Sequence, residues 1–257
     1  MIVSKSFRAL ITGASAGLGD SYVKQLAERC DSMLVVARRG DRLRELAESL
    51  AGQCTVETVE ADLATVEGQA RVVEAIRQGP ALDLLINNAG YSTIGPYASS
   101  DLDDELGMLR LHSEATMVLT RAALPAMIEQ GSGAVINVAS VAGLVSTPNV
   151  AVYGATKAFL VSFTRALRQE LKGNGIRMQC LCPGYTRSEI HSRDTMKDFD
   201  VNIVPEKLWM DADTVVAESL AAITDDADQW LLVSGEHNRK VVAREMDALR
   251  ADLHYPS

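Results

Sequence analysis

Phe7-Arg-Ala-Leu-Ile-Thr-Gly-Ala-Ser-Ala-Gly-Leu-Gly19 is the stretch from which the fold is read. The apolar run Phe7 to Thr12 reads as a short buried strand ended by glycine. A helical pattern follows, with Tyr22, Val23, Leu26 and Ala27 on one face. Strand, glycine turn and helix together make a phosphate site. Gly13 permits the tight turn, and Gly17 and Gly19 let a pyrophosphate approach the backbone at the helix N-terminus. The spacing is Gly-x-x-x-Gly-x-Gly rather than Gly-x-Gly-x-x-Gly, and glycines in such a turn can also be purely structural.

Outward from this turn the same alternation continues. Ser32 to Ala37 is a second strand, and Arg38-Arg39 stand at its end. A dinucleotide site expects a carboxylate there for a bare ribose, or an arginine for a 2′-phosphate, so the pair favours NADP over NAD. The alternative is a solvated helix start, since Gly40-Asp41 follows. Asp41 to Leu50 is an amphipathic helix and Cys54 to Glu60 a third strand. Asp62, just beyond it, can accept from an adenine amino group or cap a helix starting near Val66. Leu82 to Ile86 is a fourth strand, ending in Asn87-Asn-Ala-Gly90. Asp101 to Gln130 is mostly helical, with a bend or late break expected at Pro125. Gly133 to Ala139, Ile176 to Cys182 and Trp230 to Ser234 complete seven strands. Asn149 to Lys172, Asp213 to Ile223 and Glu236 to Leu253 are the later helices. The irregular segment 186–211 lies beyond a strand's carboxyl end. It reads as a substrate lid or as an ordinary surface excursion. Buried-type strands alternating with helices predict a doubly wound α/β fold: one parallel sheet with helices on both faces, in a single domain over 1–257.

A second stretch carries chemistry. Ser140 closes the fifth strand, and Tyr153 and Lys157 are four apart, hence on one face of the helix that follows. An ammonium beside a phenol favours phenolate, which predicts a tyrosine pKa below the free value of about 10. Such a tyrosine can exchange a proton with an oxygen that Ser140 also polarises.

Bulk properties narrow the alternatives. The chain has 257 residues, 47% apolar and 23% charged, with a net charge of −9, a balance that disfavours disorder and nucleic-acid binding. Cys30, Cys54, Cys180 and Cys182 lack zinc spacing and read as structural thiols, and the four histidines are scattered, so no metal is expected. With no signal peptide and no bilayer-length apolar run, a cytoplasmic protein off the membrane is the expectation.

Taken together, Thr12-Gly-x-x-x-Gly-x-Gly19, Asp62, Asn87-Asn-Ala-Gly90, Ser140, Tyr153-x-x-x-Lys157 and Pro183-Gly184 resemble the short-chain dehydrogenase/reductase family, in its single-domain, NADP-preferring branch. Their order and separations match from Phe7 to about Leu220. The resemblance implies a Rossmann-like sheet of order 3-2-1-4-5-6-7 and NADP(H) across the strand ends. Tyr153 would be the acid/base, Lys157 would bind the nicotinamide ribose and tune the tyrosine, and Ser140 would hold the substrate oxygen. Gly13, Ser15, Ala16, Gly17, Leu18 and Gly19 would cradle the cofactor, with Arg38 and Arg39 at its phosphate and Asp62 and Leu63 at adenine. Asn88, Ala89 and Gly90 would line the adenosine side, and Pro183, Gly184, Thr186 and Ser188 would lie near the carboxamide.

The family's helical asparagine is missing: His112 stands in its place within Met108-Leu-Arg-Leu-His112. It either fills space or holds a relay water to Lys157, and a neutral ring is expected beside that ammonium. Tyr91, Val141, Tyr185, Met196 and Trp209 are candidates for an apolar substrate wall. The expected reaction interconverts a hydrophobic ketone and a secondary alcohol. The rival is a low-turnover dinucleotide-binding sensor or scaffold. The family also implies a homodimer or homotetramer.

Overall fold

The computed structural model describes residues 7–192, 194–225 and 229–253. The strands are β1 Arg8–Thr12, β2 Ser32–Ala37, β3 Thr55–Glu60, β4 Leu84–Asn87, β5 Gly133–Val138, β6 Ile176–Cys182 and β7 Leu231–Val233. The helices are α1 Gly17–Leu26, α2 Gly40–Ser49, α3 Val66–Gln78, α4 Leu102–Leu109, α5 Ala115–Gln130, α6 Ala151–Glu170, α7 Ala212–Thr224 and α8 Glu236–Asp252. All seven strands join one sheet in the order β3-β2-β1-β4-β5-β6-β7, and every pairing is parallel. This is the doubly wound sheet expected from the alternation.

The pleat explains how one strand serves two cores. Ala9 and Ile11 of β1 face Tyr22, Val23 and Leu43 from α1 and α2, with Val215 and Val216 of α7 in the same cluster. Leu10, between them, points the other way, towards Val72 of α3 and Leu119 and Met127 of α5. The central strands β1, β4 and β5 are therefore buried at every residue, whereas the edge strand β3 exposes Thr55, Glu57, Thr58 and Glu60. Asparagine amide groups inside the sheet donate to side chains on neighbouring elements, although Asn87 Oδ1 itself accepts from none. Asn87 Nδ2 donates to Asn137 Oδ1 at 2.8 Å and to Thr120 Oγ1 at 3.1 Å, and Asn137 Nδ2 donates to Thr164 Oγ1 at 2.9 Å. These bonds tie β4 and β5 to α5 and α6.

The segment expected to be one helix from Asp101 to Gln130 is interrupted, but not at Pro125. A π-helical turn, Arg110–Glu114, separates α4 from α5, while α5 runs on through Pro125. Pro125 and Arg121, whose carbonyl lies one turn back and lacks its usual N–H partner, are both exposed, on the outer side of the helix. The π turn buries His112 and Ser113 instead. The sixth helix starts at Ala151, not Asn149, because Asn149 has φ of +65°.

Candidate functional site

Strand order reverses on either side of β1, and the carboxyl ends of the strands open there into a cleft of about 1360 Å³. That volume exceeds the range of a pocket for one drug-sized molecule, roughly 300–1,000 Å³. One end is lined by Ser15, Arg38, Arg39, Arg42 and Asp62, the other by His112, Ser140, Tyr153 and Lys157. Between them lie the glycine turn, Asn88 to Gly90 and Pro183-Gly184.

The glycine turn is held by Thr12. Its hydroxyl accepts from the Asn88 and Ala89 N–H groups at 2.9 and 3.0 Å, and its carbonyl accepts from Asn88 Nδ2 at 2.8 Å. Gly13 and Gly17 have φ of +69° and +57°, the left-handed region that glycine enters without strain. Gly19 has a different task from the one expected. A Cβ there would collide with the Gly13 carbonyl and the Asn88 amide, so this glycine packs the helix against its own turn. Helix α1 has no side-chain cap at Ala16, which leaves its first N–H groups for a ligand. Uncapped amides, three arginines and a buried lysine along one cleft fit a phosphorylated dinucleotide.

At the other end, three elements converge. Ser140 follows β5, its Oγ accepts from Ala142 N–H at 3.2 Å, and the 3-10 turn Val141–Gly143 lies on α6. Gly143 makes that contact possible: a Cβ would stand 2.6 Å from the Lys157 carbonyl carbon and 2.8 Å from the Ala158 nitrogen. Tyr153 and Lys157 come from α6, with Lys157 Nζ 5.6 Å from the Tyr153 ring centre. Lys157 is 4% exposed and donates to the Val138 carbonyl at 2.9 Å. Burial pulls its pKa down to about 8, outweighing the pull of Cys180 and Cys182.

The expected lowering of the tyrosine pKa is not found in this state. Burial pushes Tyr153 above its ordinary value, and a hydrogen bond with Ser140 only partly opposes it. Desolvation of the phenolate exceeds what the Ser140 hydrogen bond returns, and Cys182 adds to the rise.

His112 is 1% exposed, and its ring stands edge-on to Tyr153, with centres 5.8 Å apart. Its hydrogen bonds fix one tautomer. Thr156 Oγ1 gives its proton to the Tyr153 carbonyl at 2.8 Å, so Nδ1, 2.8 Å from the same oxygen, must be the donor. Nε2 then accepts from Tyr91 N–H at 3.2 Å. Burial, and secondarily Lys157, holds the pKa well below its usual 6.5. Both ring nitrogens are thus engaged by protein groups. Gly90 is small for the same reason, since a Cβ would lie 2.7 Å from Nε2.

Other expected positions separate into those at the cleft and those behind it. Tyr91, Val141, Tyr185 and Met196 line it together with Leu63, Thr186 and Ser188. Trp209 does not; it packs behind, against Tyr185 and His191 at 5.7 and 5.0 Å between ring centres. Asp62 lines the cleft and accepts from Ala64 N–H at 3.0 Å, but the cap of α3 is Thr65. Cys180 and Cys182 share a face as buried free thiols, with sulfurs 4.0 Å apart. Three contributors went unnoticed in sequence: Thr156, whose hydroxyl orients His112; Arg42, a helix turn beyond the arginine pair; and Glu189, which bonds to Arg39 and Arg42 at 2.7 and 2.5 Å. The i,i+3 spacing of Arg39 and Arg42 was the available signal for the second. Among the described residues, no group of acidic, histidine or cysteine side chains could hold a metal, and no helix is long and apolar enough to cross a membrane.

Comparison with known proteins gives concordant matches. The short chain dehydrogenase family model matches residues 8–198. Sulfoacetaldehyde reductase 2 of Chromohalobacter salexigens is 33% identical over 218 residues, 83% of this chain and 85% of that one. A short-chain dehydrogenase from Sphingobium yanoikuyae, solved in complex with NADPH, superposes with a TM-score of 0.83 at 30% identity, covering 97% of each chain. The bulky-bulky ketone specific alcohol dehydrogenase from Comamonas testosteroni gives a TM-score of 0.79 at 26% identity, covering 99% of this chain and 98% of that one.

Proposed function

The chain belongs to the short chain dehydrogenase family and is an oxidoreductase of a nicotinamide dinucleotide; from that premise we propose that the dinucleotide is NADP(H) and the reaction interconverts a hydrophobic ketone and its secondary alcohol. The observation that carries the reading is the single cleft with guanidinium groups at one end and Ser140, Tyr153 and Lys157 at the other. The NADPH held by the Sphingobium relative and the ketone specificity of the Comamonas relative point the same way. Homo-oligomer formation through α4, α5 and α6, action in the cytoplasm and a single domain with 186–211 as its lid belong to the same proposal.

The bound cofactor supplies the hydride. Gly13 to Leu18 would hold its pyrophosphate, with Gly19 letting α1 pack close behind that turn, Arg38 and Arg39 would hold its 2′-phosphate, and Asp62 and Leu63 its adenine. Ser140 donates to the substrate oxygen, and Tyr153 transfers a proton to or from that oxygen. A phenol whose pKa is raised stays protonated at neutral pH, the form in which it can give a proton to a carbonyl oxygen. Lys157 is positively charged below about pH 8 and steadies negative charge on the tyrosine oxygen as the proton leaves. Tyr91, Val141, Tyr185 and Met196 exclude water from the substrate side.

Mixing the protein with NADPH and a panel of bulky hydrophobic ketones, and following nicotinamide absorbance, tests this. Turnover that Tyr153→Phe removes, with NADPH binding retained, is the expected result. Binding without turnover, indifferent to that substitution, would instead identify a sensor or scaffold module.

A further inference from the structure

The carboxylate of Glu189 stands where an anion from outside the chain would otherwise go. One of its oxygens takes Arg39 Nη1 at 2.7 Å, and the other takes Arg42 Nη1 at 2.5 Å. Arg39 also donates to the Ser15 hydroxyl at 3.0 Å and to the Ser15 carbonyl at 3.3 Å, so the pair is anchored to the glycine turn. The neighbouring Ser188 closes over Gly17, where an added Cβ would meet it at 2.9 Å. The beginning of the 186–211 segment is thus fastened across the phosphate-binding end of the cleft. The two arginines hold Glu189 below the ordinary carboxylate range, Arg42 most strongly.

A phosphate monoester is recognised by the same forked guanidinium donors that bind a carboxylate, and it carries up to about two negative charges at neutral pH. Arg39 and Arg42 cannot give the same N–H groups to both, and the two anions repel one another at this range. The exchange swaps one set of charge-assisted bonds for another, so Glu189 weakens a 2′-phosphorylated ligand without touching one that lacks the group.

We propose that Glu189 is a specificity-determining residue that competes with the 2′-phosphate of NADP(H) for Arg39 and Arg42, so that cofactor entry and release of the 186–211 segment from the adenosine end are one exchange. The inference rests on the NADP(H) reading above. It assigns to an acidic residue of the lid a share in cofactor choice that the arginines alone do not determine.

Dissociation constants for NADP+ and NAD+, measured by titration calorimetry on wild type and Glu189→Gln, test it without any turnover. The variant is expected to bind NADP+ about 3–10-fold more tightly, the loss of one competing charged contact, and NAD+ within about twofold of wild type. NADP+ affinity that is unchanged or weakened in the variant overturns the proposal, whatever the wild-type preference. If wild type prefers NADP+ and the variant changes nothing, the competition fails while the cofactor reading stands. If wild type does not distinguish the two and the variant prefers NADP+, the cofactor reading for the native chain fails while the competition stands.

Discussion

Lys157 shows what the site costs the fold. A lysine whose pKa falls from 10.5 to about 8 on burial is harder to protonate folded than unfolded. That difference opposes folding by on the order of 3 kcal/mol at neutral pH. The sign follows from proton counts: between about pH 8 and 10.5 the unfolded chain binds more protons at this residue, so the penalty shrinks as pH rises through that window. Lys157→Met removes the charge but also the bond to the Val138 carbonyl, worth about 1 kcal/mol. The variant should therefore be more stable than wild type by about 1–2 kcal/mol at pH 7, with the gap closing towards pH 10, while ketone reduction is lost. Urea midpoints of the two proteins at both pH values measure this, and a variant less stable at pH 7 would contradict it. His112 is the opposite case, a buried polar side chain with both nitrogens satisfied. An asparagine is too short to bond the Tyr91 N–H and the Thr156 hydroxyl together, so His112→Asn should lose about 1–3 kcal/mol and gain no rate. A faster variant of unchanged melting temperature would instead mark the histidine as a relay substitute.

Between elements, the decisive contact is the 3-10 turn Val141–Gly143 on α6. Its backbone reaches the backbone of Lys157 and Ala158, which cannot move aside as a side chain could. Gly143→Ala should destabilise the protein by at least about 2 kcal/mol and swing Ser140 away from Tyr153. A displacement near 1 Å at reacting groups can cost about a hundredfold in rate. Thermal melts and turnover with saturating NADPH would show both losses, while unaltered values would mean the turn shifts freely. This level also marks how far sequence reading reached. Strand–helix alternation and glycine punctuation are local signals, so all seven strands were legible from them, while the strand order and the joint roles of Ser140, Tyr153 and Lys157 were legible through the family resemblance. The π turn at Arg110–Glu114 was not, since no residue type announces it and Pro125 offered a more familiar place to break. Gly143, Thr156 and Glu189 act through partners from 14 to 150 positions away, a relation that periodicity does not carry. The raised Tyr153 pKa depends on burial depth, which spacing alone does not measure.

At the scale of the whole molecule, the outer faces of α4 and α5 carry the apolar residues on which the proposed contact between copies is argued. Leu102, Leu106 and Leu109 fall on one side of α4 at i, i+4 and i+7, and all three are exposed. Met117 and Ile128 add exposed apolar area on α5. Isolated apolar residues on a surface need no explanation, but a row on adjoining helices favours burial against a second copy. Opposing this is a net charge of −9 on each chain, which repels like copies most at low ionic strength. The two effects predict a symmetric homo-oligomer that tightens as salt is raised, because screening removes the repulsion while the apolar contact persists. Sedimentation velocity at about 0.02 M and 0.5 M sodium chloride resolves the balance, since the Debye length falls from roughly 20 Å to about 4 Å over that range. Leu109→Glu should shift the population to monomer at both salts, because a carboxylate buried between copies costs several kcal/mol. A variant that sediments like wild type would place the contact on another face, and an assembly that loosens with salt would mean that ion pairs rather than these leucines hold it.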